Sequence, residues 1–338
     1  MALHAVAGPR RTVSVLAAGL AAAAALAVFT VPVGTAVAVP VIPAPVAAAP
    51  TPPVVTAPAP PATTARAEAG DLVPHPAVVA GPGSIGPGTV TETTGAGLCT
   101  AGFVFTAGER TFLGQAAHCG GTGGETETDG CTSDAVPLGT PVLVHGRDGT
   151  VTGTLAWSSW NTMQARGERD PDVCAYNDLA LVELPAGARP SVGAAVPFFG
   201  GPGAVRTAPL PAGTPVYGLT NPPGAGGVRT VGVRAGAAAA EVGGGWGHAV
   251  FAVQDGVAGE SGSPLLDAQG RAIGVLSSLT TTEDLPSIEY TDLARALDYA
   301  ARTDGPAGLT LAGGPAFTAA PAGVDPRALA TPAGPGLG

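Results

Sequence analysis

Between about residues 82 and 303, short apolar runs alternate with turn-forming residues, with a period of two far more often than 3.6. Phe103 and Phe105 alternate with smaller side chains. Ala107-Gly108-Glu109-Arg110 then offers a turn and Phe112-Leu113 begins a return, so residues 101–117 predict a hairpin. Val142-Leu143-Val144 and Val151-Thr152-Gly153-Thr154-Leu155 flank Gly146-Arg147-Asp148-Gly149 in the same way. Residues 179–184 read as a short apolar strand, and 216–219, 228–233 and 249–253 follow at intervals expected of a β-barrel or sandwich. Leu265-Leu266, the turn 267–270 and the run 272–276 predict a further hairpin. One helical segment stands out. Residues 292–300 open on the capping residue Asp292 and set Leu293, Leu297 and Ala300 on one face. The pattern is all-β with a terminal helix, and no repeat of 20–50 residues points to a propeller or solenoid.

The ends have a different texture. Arg10 and Arg11 precede an apolar run over 13–31, and Gly34-Thr35-Ala36-Val37-Ala38 has the small-x-small pattern of a signal-peptidase site. That order predicts a secretory signal over 1–38. An uncleaved anchor is the alternative, since about 20 apolar residues span a bilayer, but the alanine-rich run is only weakly hydrophobic. The arginine pair fits a twin-arginine signal in part. Residues 39–81 are mostly Pro, Ala, Val and Thr, an extended spacer too poor in core-forming side chains to be a folded pro-domain. Residues 304–338 return to Gly, Pro and Ala and predict a disordered tail. The folded domain is expected over 82–303.

Charge narrows the partners. The chain carries 15 basic and 25 acidic residues, and every basic one is arginine. Loss of Arg10 and Arg11 with the signal would move the formal net charge from −10 to −12. So acidic a surface argues against nucleic acid or an anionic membrane as the main partner. The acidic stretch 124–129 reads as a solvated loop, with cation binding as the lesser alternative. Four cysteines (Cys99, Cys119, Cys131 and Cys174) in a chain with a signal predict two disulfides, with three pairings open. No Cys-x-x-Cys spacing supports a zinc site.

Candidate chemistry centres on Gly259-Glu260-Ser261-Gly262-Ser263-Pro264. A serine between glycines in a tight turn exposes its hydroxyl and aims the N–H groups of Gly259 and Ser261 into one small space, where an oxyanion could be stabilised. A nucleophilic serine needs a base, and the base needs an orienting acid. Five histidines are available. His4 lies in the signal, His75 in the spacer, His145 beside a turn and His248 after a glycine-rich stretch, all contexts that suit structural or solvated residues. His118 differs, because Ala116-Ala117-His118-Cys119 closes the first hairpin and Cys99 opens it. A Cys99–Cys119 bond would clamp the loop that carries the imidazole. Asp178, at the head of Asp178-Leu179-Ala180-Leu181-Val182, is placed where a strand start could hold an acid rigid and partly desolvated.

Ala116-Ala117-His118-Cys119, Asn177-Asp178-Leu179-Ala180-Leu181 and Gly259 to Pro264, in this order, resemble the chymotrypsin/trypsin family of serine proteases, most closely its secreted bacterial members. The resemblance covers roughly 82–303. It implies two six-stranded Greek-key β-barrels with a C-terminal α-helix and an active site in the cleft between barrels. By motif, Ser261 would be the nucleophile, His118 the base and then acid, and Asp178 the group that fixes the imidazole tautomer, a division of labour already general for this family. Gly259 and Ser261 would supply the oxyanion hole, and Ser277 would hydrogen-bond the acid. Cys131–Cys174 would be the second disulfide.

The sequence departs from the family at three places. Glu260 stands where the family usually has Asp, which argues against activation through a buried new N-terminus. The disulfide that usually flanks the specificity pocket is missing. Asp255 occupies the position that binds Arg or Lys in trypsin-like enzymes, yet Leu279 and Ile288 fall where trypsin's pocket walls are glycine. Bulky walls would leave a buried Asp255 unpaired, so a solvent-facing turn residue competes with a basic-specificity pocket. The expectation is a secreted or envelope-associated, monomeric serine endopeptidase with a polypeptide substrate, no cofactor, no metal, no nucleic-acid partner and no lasting membrane association after signal cleavage. Two other readings compete: a protease-fold binding or scaffold protein of weak or absent turnover, and an envelope protein whose Pro/Ala segments act as anchor or spacer.

Overall fold

Seven short strands, several of them buried along nearly their whole length, build the first half of the folded domain. They are β1 (Val90–Thr93), β2 (Leu98–Thr100), β3 (Val104–Ala107), β4 (Arg110–Gln115), β5 (Pro141–Gly146), β6 (Gly149–Ser158) and β7 (Ala180–Leu184). Antiparallel ladders run β3–β4–β7–β6–β5–β1–β2. β2 and β3 act as one bent strand. The Ala101 N–H bonds the Thr89 carbonyl at 2.7 Å on the β1 side, while the Gly102 N–H bonds the Gly114 carbonyl at 2.8 Å on the β4 side. The same stretch of chain thus pairs with β1 through its first half and β4 through its second, and six strands close on themselves. Closure removes the exposed edges that an open sheet would leave.

The second half contains β8 (Ala204–Val205), β9 (Pro215–Thr220), β10 (Val228–Thr230), β11 (Gly232–Val242), β12 (Gly247–Ala252), β13 (Pro264–Asp267), β14 (Arg271–Thr281) and β15 (Pro286–Asp292). Pairings run β13–β9–β11–β12–β15–β14, and an additional β13–β14 ladder closes this second six-stranded barrel. Val216, Ala238, Val250, Leu265, Ile273, Leu276, Ile288 and Tyr290 pack together in its interior. The fold is all-β, with two six-stranded barrels. A larger apolar cluster runs from Phe103, Phe105 and Trp157 of the first half to Leu219, Leu266 and Val275 of the second. The halves touch closely at Gly102, where a Cβ would lie 2.4 Å from the Gly262 carbonyl oxygen.

This computed structural model describes residues 83–124, 127–222, 228–252, 254–281, 286–319 and 330–332. The expected signal and spacer, with His4 and His75, lie outside the described residues. Among those described, no helix is long and apolar enough to cross a membrane.

Among the described residues, three α-helices occur where the pattern pointed to one. α1 (Ser159–Arg166) and α2 (Pro171–Tyr176) lie in the long connection before β7, and α3 (Leu293–Arg302) follows β15. The N-cap of α3 is Asp292, whose carboxylate accepts the Arg295 N–H at 2.7 Å. α1 escapes a periodicity search because it buries only Ser159, Trp160, Thr162 and Met163, so caps rather than a stripe define it: Ser158 before it and left-handed Gly167 after it. α2 is one and a half turns long. Its signal is local, Asp170 capping the Asp172 and Val173 amides ahead of Pro171.

The folded domain also continues past residue 303. β16 (Thr310–Leu311) adds to β3, with the Ala312 N–H bonding the Val104 carbonyl at 2.9 Å. Phe317 then joins Phe199 and Tyr217, with ring centroids 6.2 and 5.4 Å away. The first part of the expected disordered tail is therefore a strap over the barrels. It is held by two apolar side chains too few and too far apart to register as a pattern. Residues 320–329 and 333–338 lie outside the described residues, and β17 (Ala330–Pro332) pairs antiparallel with β10.

Leu311 is buried, so Leu311→Ala is expected to lower unfolding stability by about 2–5 kcal/mol. Urea denaturation measures this, and a disordered tail would show no change.

Candidate active site

The first barrel presents an imidazole in a short turn. β4 ends at Gln115, and a 3₁₀ turn over Ala117–Gly120 carries His118. The disulfide Cys99–Cys119 ties this turn to β2, and Cys131–Cys174 closes the second expected pair. The His118 N–H donates to Asp178 Oδ1 at 2.8 Å, and His118 Nδ1 lies 2.6 Å from Asp178 Oδ2. Asp178 is buried, with 4% of its side chain exposed, against 28% for His118.

Asp178 is fixed from both sides of the chain. The Ser159 hydroxyl donates to the Asn177 carbonyl at 2.6 Å and accepts the Leu179 N–H at 3.1 Å. One buried serine at the head of α1 thereby holds the residues that flank the acid. From the second barrel, the Ser277 hydroxyl donates to Asp178 Oδ2 at 2.7 Å.

Burial is the largest single influence on both titrating groups, and in both the pairing outweighs it. For Asp178, burial favours the neutral acid, but the charge and hydrogen bonds of His118, with Ser277, hold the carboxyl below its ordinary value. For His118, burial disfavours the imidazolium, but the charge and hydrogen bond of Asp178 raise it above its ordinary value. A carboxylate at Nδ1 selects the tautomer with its proton there, leaving Nε2 as the free base.

Ser261 is half-buried in the turn before β13. Its carbonyl accepts the Thr100 N–H at 2.8 Å, so β2 holds the serine's own peptide. Gly262 has φ +90°, and a Cβ there would lie 2.4 Å from the Thr100 carbonyl oxygen and 3.0 Å from both the Ala116 nitrogen and the Gln115 Cα. Glycine is thus required for Ser261 to sit against the segment that leads into His118. The Gly262 N–H bonds the Leu276 carbonyl at 2.7 Å, which sets Ser277 next in line on β14. The amides of Gly259 and Ser261 donate no hydrogen bond to any described residue.

Glu260 is buried and holds the turn from beneath. Its carboxylate accepts the Asn221 N–H at 2.7 Å, the Val257 N–H at 3.1 Å and Arg234 Nη2 at 2.5 Å. Arg234 is itself buried and also donates to the carbonyls of Leu219 and Asp255. The anion expected of a buried amino terminus therefore has a side-chain partner within the folded domain. Sequence reasoning missed Arg234, although a lone arginine inside an otherwise small-residue strand, Gly232–Val242, is an available signal.

The three residues expected to form a specificity pocket differ sharply in exposure. Asp255 is exposed on the surface, and its backbone carbonyl, not its carboxylate, meets Arg234. Ile288 is buried in the interior of the second barrel. Leu279, 47% exposed, packs over Gly256, where an added Cβ would lie 2.2 Å from Leu279 Cδ2. The two are paired in register but differ in burial, because Ile288 is flanked on its other side by Val250 of β12, whereas the β13 ladder along β14 ends at Val275. His145 and His248 have structural partners, with ring nitrogens 3.1 Å from Glu92 and 2.8 Å from Asp292 respectively. Two groupings of His, Cys and Asp come close enough to surround an ion, but each contains a disulfide whose sulfurs are bonded to one another.

No family model matches the sequence, and no curated protein matches it. Solved structures similar to it are chymotrypsin-like serine proteases. Protease A of Thermobifida fusca is 18% identical with a TM-score of 0.39, over 68% of this chain and 99% of that one. The Nocardiopsis protease has the same identity and TM-score over 67% and 98%. The chymotrypsin of Cellulomonas bogoriensis matches likewise over 67% and 97%. The likeness lies in the course of the backbone, and the chemistry of the site rests on its own atoms.

Arg234→Met would leave Glu260 buried without its cation and is expected to destabilise by about 3–5 kcal/mol in denaturant unfolding. Replacing both partners, as Arg234→Met with Glu260→Leu, should recover only part of that loss, because the Asn221 and Val257 amides then lose their acceptor.

Proposed function

We propose that the chain is a secreted serine endopeptidase that cleaves polypeptides through Ser261, His118 and Asp178. The observation that carries this reading is the buried Asp178 carboxylate. It binds the His118 imidazole of one barrel and the Ser277 hydroxyl of the other, in the region where the Ser261 turn meets the strand leading to His118. A buried anion is expensive unless it is paired and hydrogen-bonded, and here its pairing orients a base.

In this reading His118 Nε2 takes the Ser261 hydroxyl proton as the oxygen attacks the scissile carbonyl. The carbonyl electrons move onto oxygen, where the Gly259 and Ser261 N–H groups stabilise the developing charge. The imidazolium, steadied by Asp178, passes the proton to the leaving amine as the C–N bond breaks. Water then attacks the acyl-enzyme with the same base, releasing the acid product and free Ser261. None of these steps calls for a cofactor. Leu279 packed over Gly256, with Asp255 on the surface, supports cleavage after small side chains rather than after Arg or Lys.

The competing reading, a protease fold kept for binding, predicts no turnover. A fluorophosphonate is expected to label Ser261 in the folded, disulfide-intact protein; absence of labelling would sink the enzyme reading. Ser261→Ala should abolish hydrolysis, and Asp178→Asn should lower it by about 10⁴-fold.

The base works only when neutral, so kcat/KM should fall as pH drops through a His118 value that Asp178 holds above the ordinary 6.5. A flat profile between about pH 5 and 8 would point to a different base. In a peptide-library profile, strong preference for Arg or Lys before the cut would overturn the specificity reading.

A further inference from the structure

The orientation of the Ala258–Gly259 peptide decides whether the Gly259 N–H can face a substrate oxygen, and one side chain outside the expected site grips that peptide. Arg229, on β10, is buried, and its Nη1 donates to the Asn221 carbonyl at 2.7 Å. Nη1 and Nη2 both donate to the Ala258 carbonyl at 3.3 Å. The guanidinium also lies against Gly259 itself: a Cβ there would come within 2.4 Å of Nη2 and 2.7 Å of Cζ. Gly259 has φ +87°, so glycine is required both for the backbone angle and for the approach of the cation.

In a planar trans peptide the carbonyl and the following N–H point in opposite directions. A cation that holds the Ala258 carbonyl on its own side therefore turns the Gly259 N–H away from itself. Other groups of the turn are held as well. The Val257 N–H goes to Glu260 Oε2, the Glu260 N–H to the Val257 carbonyl, and the Gly259 carbonyl accepts the Thr100 hydroxyl at 2.7 Å. Among the described residues Arg229 forms no ion pair; burial works against its charge and the nearby Glu260 carboxylate favours it. The Arg229 hydrogen bonds go to backbone carbonyls, one of which is that of the peptide leading into Gly259.

We infer that Arg229 is a positioning residue that locks the Ala258–Gly259 peptide with its N–H facing the scissile carbonyl, and so sets the oxyanion hole. This rests on the protease reading above. Without Arg229 the peptide is free to rotate, and the transition state loses one aligned donor while substrate binding is little affected.

The test compares the full chain with Arg229→Met, which keeps bulk but no donor, and Arg229→Lys, which keeps a cation. Rates are normalised to active sites titrated with a fluorophosphonate. The Met variant is expected to lower kcat about 10- to 100-fold with KM nearly unchanged, since losing a whole oxyanion donor lowers kcat by about 10²–10³. Affinity for a peptide trifluoromethyl ketone, whose tetrahedral adduct carries the oxyanion, should fall in parallel with kcat/KM. The Lys variant should lose about three- to tenfold. A kcat within about twofold of the parent, or a loss in KM alone, overturns the inference. Should the Met variant not fold, the Lys variant decides: a three- to tenfold fall in kcat at constant KM supports it, and a change below twofold overturns it. Absence of turnover and labelling in the parent would instead reject the protease reading. The crystal structure of a folded Arg229 variant then still decides, because an unchanged Ala258–Gly259 peptide refutes the role of Arg229.

Discussion

A single buried carboxylate ties the two barrels together at the site. Asp178 has almost no contact with water, so its charge must be met by protein groups, and those groups come from both halves of the fold. The His118 imidazole and amide approach from the turn after β4, and the Ser277 hydroxyl approaches from β14. Separating the barrels enough to break these hydrogen bonds would leave a desolvated anion short of a partner, a penalty on the order of several kcal/mol. The need to satisfy one anion therefore fixes the relative placement of groups that chemistry requires to be aligned.

The same logic recurs beneath the serine turn. Glu260 is buried against Arg234, and the backbone amides of Asn221 and Val257 complete its shell. Such pairs seldom add net stability over apolar side chains of similar size. What they add is direction, because a paired charge tolerates only one geometry. Buried Glu260 holds the Ser261 turn, and glycines at 259 and 262 let the backbone pass through contacts that a Cβ would forbid. A rigid scaffold carrying its reactive groups on short connecting segments is the usual division between stability and function.

Much of this was legible in the chain. The Phe103–Leu113 hairpin, the 142–155 hairpin and the α3 cap were all signalled by period and turn chemistry, because each depends on neighbours within a dozen residues. The motif residues His118, Asp178 and Ser261 stood in recognisable local contexts. Arg229, Arg234 and Ser159 did not, since each acts on backbone that is remote or unremarkable in sequence. The strap over 304–318 was also hidden: Leu311 and Phe317 matter through the cavities they fill, not through any pattern they make. Pocket geometry was least legible of all. Leu279 and Ile288 are paired in register, yet one is exposed and the other lies in the barrel core.

Local sequence specifies the kind of structure: short strands too weak to stand alone, four cysteines, and reactive residue types in hairpin and turn settings. These follow from covalent geometry and local burial preference, which act over a few residues. Tertiary structure alone decided which groups meet. β2 and β3 became one bent strand by pairing with two partners, Ser277 reached Asp178 across 99 residues of chain, and Arg234 came to neutralise Glu260. Those contacts depend on the closure of both barrels. Closure is a property of all the ladders together, so no local window contains it.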